Sequence, residues 1–304
     1  MDARPDAAAR MGYAGPMASP RTLTGKTLTA GILGWPVGHS RSPRLHGYWL
    51  ERHGIDGAYI PLPVRPERFA GAIRALADLG FRGANVTIPH KETALAACDL
   101  LEEGARRIGA VNTLVFHEDG RIEGWNTDGW GFLESIREGV PEWRAEAGPA
   151  VVLGAGGGAR AVAHALLLAG CPRLTLVNRS PARAEALAAE LSAHGYRVEV
   201  AAAPPLEGAA LLVNTTSQGM QGQPPLTLDL APLPASAVVA DIVYVPLETP
   251  LLAAARARGL AAVDGLGMLL HQGRRGFQAW FGTMPAVDAE LRAFVASDIP
   301  RTAA

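Results

Sequence analysis

The chain has 304 residues, 48% of them hydrophobic and 19% charged, which is enough for two domains with substantial cores. A formal net charge of −1 gives no global field that would gather nucleic acid or an anionic membrane, so any anionic ligand has to be held locally. Apolar runs such as 159–169 fall short of the roughly 18 residues that a bilayer span needs. The two cysteines, Cys98 and Cys171, are expected in apolar cores rather than in a disulfide framework or metal cluster.

Residues 1–26 are rich in Ala, Pro, Gly and Arg and lack a continuous apolar segment, so they read as a disordered tail rather than a secretory signal, with the cytoplasm as the location. From Thr27 onward, apolar runs predict a strand near 28–33, a helix near 43–53, a strand near 58–61 and a helix over 66–79. A strand over 83–88 then leads to a helical stretch from Lys91. The strands near 110–116 and 121–125 flank Glu118-Asp119-Gly120, whose Asp-Gly step predicts a hairpin. This alternation indicates an α/β domain. A second series opens at Ala150, with a strand over 151–153 and further strands near 174–177, 198–200, 210–214, 237–243 and 261–263, a doubly wound pattern. Leu266, Leu269, Leu270 and Phe277 have helical spacing over 265–281, and a last helix is expected near 287–295.

Gly154-Ala155-Gly156-Gly157-Gly158-Ala159 fits G-x-G-x-x-A, follows an apolar strand and opens the helix expected over 159–169. In that context Gly154 permits the tight turn, Gly156 lets backbone amides approach a pyrophosphate, and Ala159 allows close helix packing, whereas a flexible loop would need none of these. The end of the next strand distinguishes the dinucleotides, because an NAD site usually places a carboxylate there for the ribose hydroxyls. This chain has Asn178-Arg179-Ser180, with Arg183 a few residues on. Arg179 can pair with a 2'-phosphate through its guanidinium fork and Ser180 can donate to the same group, so NADP is the expected cofactor. The competing explanation makes Arg179 and Arg183 solvated helix-start residues, and it leaves the missing carboxylate unexplained.

The eight histidines, His39, His46, His90 and His271 among them, lack metal-ligand spacing, which favours a metal-free proton relay for hydride chemistry. Polar residues gather in loops before the glycine turn: the segment 34–43 with Ser40 and Ser42, Asn85-Val86-Thr87-Ile88-Pro89-His90-Lys91, Gly109-Ala110-Val111-Asn112-Thr113, and Asn126-Thr127-Asp128-Gly129. Later come Asn214-Thr215-Thr216-Ser217-Gln218-Gly219-Met220, Asp241-Ile242-Val243-Tyr244, and Gly265-Leu266-Gly267-Met268-Leu269-Leu270-His271-Gln272. In these segments the chain, from about Gly31 to Phe281, resembles the shikimate dehydrogenase family.

The resemblance implies an amino-terminal α/β substrate domain over 27–128, completed by carboxyl-terminal helices in 265–304, facing a Rossmann-type NADP domain over 129–264. It implies NADPH-dependent, reversible reduction of 3-dehydroshikimate to shikimate in aromatic amino-acid (chorismate) biosynthesis. Lys91 and Asp128 become the catalytic pair, Ser40 and Ser42 grip the substrate carboxylate, and Asn85, Thr87, Asn112, Asp128, Tyr244 and Gln272 line the rest of the site. The resemblance extends the cofactor set to Thr215, Ile242, Gly265 and Met268. Taken singly, Lys91 reads as a surface lysine at a helix start, Asp128 as a helix cap, and Ser40 and Ser42 as N-caps. Hinges are expected near 126–131 and 264–267. A quinate or aminoshikimate oxidoreductase, distinguished at Ser42, Thr87 and Tyr244, and a non-catalytic NADP-binding regulator stay open as alternatives. So does a homodimer. The chain departs from the family pattern at Gly47, where Asn is common, and at Arg274 and Arg275, which either face solvent or strengthen binding of an anion.

Overall fold

The computed structural model describes residues 22–302, built around two six-stranded sheets. The first sheet arises from β1 (Leu28–Gly34), α1 (Ser42–Arg52), β2 (Gly57–Pro63), α2 (Phe69–Asp78), β3 (Gly83–Val86), α3 (Lys91–Ala97), β4 (Leu100–Leu101), α4 (Glu103–Ile108), β5 (Thr113–Phe116) and β6 (Ile122–Trp125). Its strand order is β2-β1-β3-β5-β6-β4. β2, β1 and β3 run parallel, and β5 and β6 form the antiparallel hairpin that Asp119-Gly120 predicts. Pro61 and Pro63 are tolerated in β2 because it lies at the sheet edge, where their missing N–H groups deprive no neighbour.

α5 (Asp128–Gly139) leads to β7 (Ala150–Leu153), α6 (Gly157–Leu168), β8 (Leu174–Val177), α7 (Pro181–Ala193), β9 (Val198–Ala201), β10 (Leu211–Asn214), β11 (Val238–Asp241), α8 (Pro250–Ala257) and β12 (Ala261–Val263). The order β12-β11-β10-β7-β8-β9, parallel throughout, is doubly wound. The strand order reverses between β7 and β10, and such a switch point opens a crevice at the carboxyl ends of the strands. α9 (Gly265–Phe281) then returns to the first sheet, followed by α10 (Ala289–Ala296).

Each sheet is apolar on both faces. Phe132, Val162, Leu166 and Leu187 cover one side of the second sheet, and Leu206, Leu233 and Leu252 the other. In the first sheet Trp49, Phe277 and Trp280 pack on one side, and Phe69, Ile73 and Leu114 on the other. α5 and α9 pack against each other where the two halves meet.

Several details differ from expectation. The helix over 66–79 is split, with a 3₁₀ turn at Pro66–Arg68 preceding α2, and β4 and α4 occupy a stretch with no predicted elements. The last helix starts at Ala289, where the Asp288 side chain accepts from the Leu291 amide at 2.9 Å. Cys171 is buried, and Cys98 is half-buried but packs against the core on one face of the first sheet. Of the expected tail, residues 1–21 lie outside the described residues. Residues 22–26 do not hang loose: Thr24 and Thr27 donate through their hydroxyls to Asp56 at 2.6 and 2.7 Å. Among the described residues no helix is long and apolar enough to cross a membrane, and no side-chain cluster could hold a metal.

Candidate active site

A cavity of about 150 Å³ opens at the carboxyl ends of β1 and β3. Ser40 and Ser42 reach it from the β1–α1 loop and the start of α1, Asn85 from β3, and Thr87 from just beyond that strand. Lys91 enters from the first turn of α3, Asn112 from the residue before β5, Asp128 from the first turn of α5, Tyr244 from beyond β11, and Gln272 from α9. The structure thus brings every residue expected on the substrate side into one cavity.

Lys91 Nζ donates to Asp128 Oδ2 at 2.5 Å. The second carboxylate oxygen accepts from Asn112 Nδ2 at 2.8 Å, and the Asp128 amide donates to Asn126 Oδ1 at 3.1 Å. Asn112 is fixed in its turn, because its Oδ1 accepts from the Thr127 amide at 2.9 Å. Asp128 is therefore oriented from two sides and only 8% exposed at its side chain, whereas the lysine keeps 22%. Such a pair lets the ammonium exchange a proton with a neighbouring hydroxyl while a fixed carboxylate balances the charge. Gln272 Nε2 donates to the Leu269 carbonyl at 3.1 Å.

The capping explanations need revision. Arg41 occupies the cap position of α1 without a side-chain bond, while Ser40 Oγ accepts from the Ser42 amide at 3.2 Å. Asp128 is the first residue of α5, with Thr127 in the cap position. Both serines and the carboxylate are thereby left facing the cavity.

On the other side of the cavity, Gly154 has φ +116°, and a Cβ there would lie 2.5 Å from Thr215 Oγ1. Thr215 donates through that hydroxyl to the Leu153 carbonyl at 2.6 Å, tying β7 to the chain beyond β10 at the switch point. α6 starts at Gly157, two residues before the predicted Ala159. Gly156 is its extended N-cap, and nothing lies within 4 Å of where its Cβ would stand, so the helix amides have an open approach. Ala155 and Ala159 are buried. Gly157 lies beside Lys91, whose Cδ would be 3.7 Å from a Cβ at that glycine, and Gly158 abuts Ile242. Ile242, Gly265 and Met268 line the cavity itself. Farther out, Asn178 Nδ2 donates to the Ser180 carbonyl at 2.8 Å. Arg179, Ser180 and Arg183 are exposed, and neither arginine forms an ion pair among the described residues. An open helix N-terminus and two uncommitted guanidinium groups fit a pyrophosphate and an additional phosphate.

Residues 32–114 match the family model described as the shikimate dehydrogenase substrate binding domain, 142–209 the model for shikimate/quinate 5-dehydrogenase, and 265–289 the shikimate 5'-dehydrogenase C-terminal domain. A protein of Rhodospirillum rubrum named shikimate dehydrogenase (NADP(+)) is 66% identical over 278 residues, covering 90% of this chain and 98% of that protein. The chain belongs to the shikimate dehydrogenase family. A protein of the same name from Paramagnetospirillum magneticum is 60% identical over 276 residues, covering 90% of this chain and 100% of that one. The crystal structure of shikimate 5-dehydrogenase from Thermus thermophilus, in complex with NADP(H) and shikimate, has a TM-score of 0.78 at 40% identity and covers 89% of this chain and 99% of that one.

Against that family, the two departures have local explanations. Gly47 is exposed, and a Cβ there would meet nothing within 4 Å, so its difference does not touch the cavity. Arg274 Nε donates to the Pro285 carbonyl at 2.8 Å and its guanidinium lies over Trp130, while Arg275 pairs with Glu102 at 2.7 Å and lies over Trp125. Neither arginine lines the cavity; both tie α9 to its neighbours. Thr127, Ile32, Leu269 and Tyr59 also stand in or beside the site without a role assigned from the sequence. Thr127 stands inside a motif already singled out, whereas Tyr59 carries no local signal beyond its place in a strand.

Proposed function

We propose that this protein catalyses the reversible, NADP-linked interconversion of 3-dehydroshikimate and shikimate. The observation that carries this reading is the convergence of Lys91, Asp128 and seven further polar side chains on one cavity beside the glycine turn. NADPH, when bound, supplies the hydride, and the amides at Gly156 to Gly158 with Arg179, Ser180 and Arg183 are the groups to hold its phosphates.

The chain's own residues account for the remainder. Ser40, Ser42 and Tyr244 offer hydroxyls to the substrate carboxylate, and Asn85, Thr87, Asn112 and Gln272 offer amides and a hydroxyl to the ring hydroxyls. Lys91 Nζ gives a proton to the oxygen of the carbonyl under reduction and takes it back in the oxidation, while Asp128, held by Asn112, keeps the ammonium in place. Asp128 receives a fixed position from α5, and Lys91 from α3, so both elements set the line along which the proton moves. The cellular direction is reduction, in the cytoplasm, on the route to the aromatic amino acids.

Steady-state assays with shikimate and quinate, each against NADP and NAD, test the proposal. Turnover is expected with shikimate and NADP, with quinate and NAD much poorer. No turnover of either acid with either dinucleotide would overturn it.

A further inference from the structure

Tyr59 is buried in β2, and the proposed reaction gives it no task. Its hydroxyl donates to Asn85 Oδ1 at 2.6 Å. Asn85 Nδ2 donates in turn to the Asn112 carbonyl and to Thr113 Oγ1, both at 3.2 Å. A primary amide can rotate by half a turn and exchange its donor for its acceptor, which changes what it offers a ligand. Here the alternative orientation is penalised twice. It would turn the amide oxygen toward the Asn112 carbonyl, which has no proton to give, and would take away the acceptor of the Tyr59 hydroxyl.

The phenol ring is fixed as well. The imidazole of His46 lies flat on it, with ring centroids 4.0 Å apart and planes 6° from parallel, and Trp280 is 5.9 Å away. Neither nitrogen of His46 reaches hydrogen-bonding geometry, although the Asn85 side chain lies close enough to oppose the fall in its pKa, so the imidazole serves here chiefly as a stacking surface. Burial drives the Tyr59 hydroxyl well above its ordinary pKa, with the Ser42 hydroxyl opposing the shift, so it stays a donor at every working pH.

With both amide hydrogens engaged and one oxygen lone pair taken by Tyr59, Asn85 has a single vacancy left, an acceptor. We infer that Tyr59 is a positioning and specificity-determining residue, which locks the Asn85 amide so that the cavity presents an acceptor to one substrate hydroxyl and selects for that hydroxyl. The inference rests on the reading of the cavity as a shikimate site.

The test compares wild type and Tyr59→Phe with shikimate and with analogues each lacking one ring hydroxyl that is not oxidised. Phenylalanine keeps the ring and its stack on His46 but cannot donate. The variant should lose about tenfold in kcat/KM for shikimate, mostly through KM, with KM for NADP unmoved. Its preference for shikimate over one of the analogues should shrink by the same factor. A uniform loss across all substrates, or no loss, overturns the inference. A second measurement needs no variant: in wild-type protein labelled at asparagine with nitrogen-15, the Asn85 side-chain amide should give one slowly exchanging pair of hydrogens before shikimate is added. Rapid exchange or two interconverting sets overturns the lock. Absence of shikimate turnover by the wild type would instead defeat the functional reading, and comparing the amide signal of Tyr59→Phe with that of wild type would still decide whether Tyr59 fixes Asn85, an unchanged signal overturning the lock.

Discussion

The contact between Lys91 and Asp128 joins a partly exposed side chain to a nearly buried one that is hydrogen-bonded from two sides, and substitution should expose that difference. Asp128 is held by Asn112 and by its own backbone, while Lys91 is the member free to reach a substrate oxygen. Lys91→Ala should therefore lower kcat by about a hundredfold or more while changing the shikimate KM far less. Unchanged kcat in steady-state assays would remove Lys91 from the proton path. Arg179→Ala should weaken NADP binding selectively, by about tenfold or more, and equal losses for NADP and NAD in titrations would contradict a phosphate contact. Two buried groups make the fold sensitive to pH with opposite signs. Burial lowers His46 from 6.5 to about 3, so the unfolded chain takes up a proton that the folded one refuses, and stability from this group falls as pH drops below 6.5. Burial raises Asp241 from 3.8 to about 6 against the hydrogen bonds from Val243, Thr249 and Asn214, so its contribution is complete below 3.8 and is lost as pH rises through 6. Asp241→Asn deletes only the second trend. Urea midpoints of that variant should fall more steeply than those of wild type between pH 6 and pH 4, and equal slopes would refute the assignment.

Helix packing at the site depends on where side chains are missing. A Cβ on Gly131 in α5 would lie 2.7 Å from both Cβ and the backbone nitrogen of Gln272 in α9, so alanine there must push the helices apart. Gly131→Ala should cost about 1–3 kcal/mol and displace Gln272 from the cavity, seen as a lower thermal midpoint and a raised shikimate KM. Gly47→Ala on the open face of α1 should act oppositely and stabilise by roughly 0.5–1 kcal/mol, since the helix gains propensity and meets no clash. A lower midpoint for Gly47→Ala would show that the α1 surface is less open than its geometry implies. The same contrast explains which elements were legible in the chain. β8 and β12 coincide with the predicted 174–177 and 261–263, because strong apolar runs bounded by turns determine them. β4 has 2 residues and α4 has 6, too few for any period to show. The substrate-side residues were legible as motif loops. Tyr59 was not, because its partner Asn85 lies two strands away across β1, a relation that only the sheet register creates.

At the scale of the whole molecule, the two sheets are joined by more than the chain segments between them. The joints expected near 126–131 and 264–267 are the first turns of α5 and α9, and Asp264 both caps α9 and pairs with Arg292 of α10 at 2.5 Å. A second connection is made by the carboxyl-terminal segment. The Leu247 amide donates to the Pro300 carbonyl at 3.0 Å and the Glu248 amide to the Arg301 carbonyl at 2.7 Å, which fastens residues just beyond Tyr244. The same segment holds the loop that carries Ser40 and Ser42, since Arg41 pairs with Asp298 and Arg44 donates to Ser297 Oγ at 2.6 Å. Exposed ion pairs of this kind contribute at most about 1 kcal/mol each, so their value lies in geometry more than in global stability. Removing residues 297–304 should leave NADP affinity nearly unchanged and lower the thermal midpoint clearly, since Ile299 is buried in the core beside the first sheet. The shikimate KM should rise several-fold, because the serine loop and Tyr244 lose the segment that spans them. Equal weakening of NADP and shikimate in titrations of the truncated protein would mean that the segment supports the fold in general and not the alignment of these two sides of the cavity.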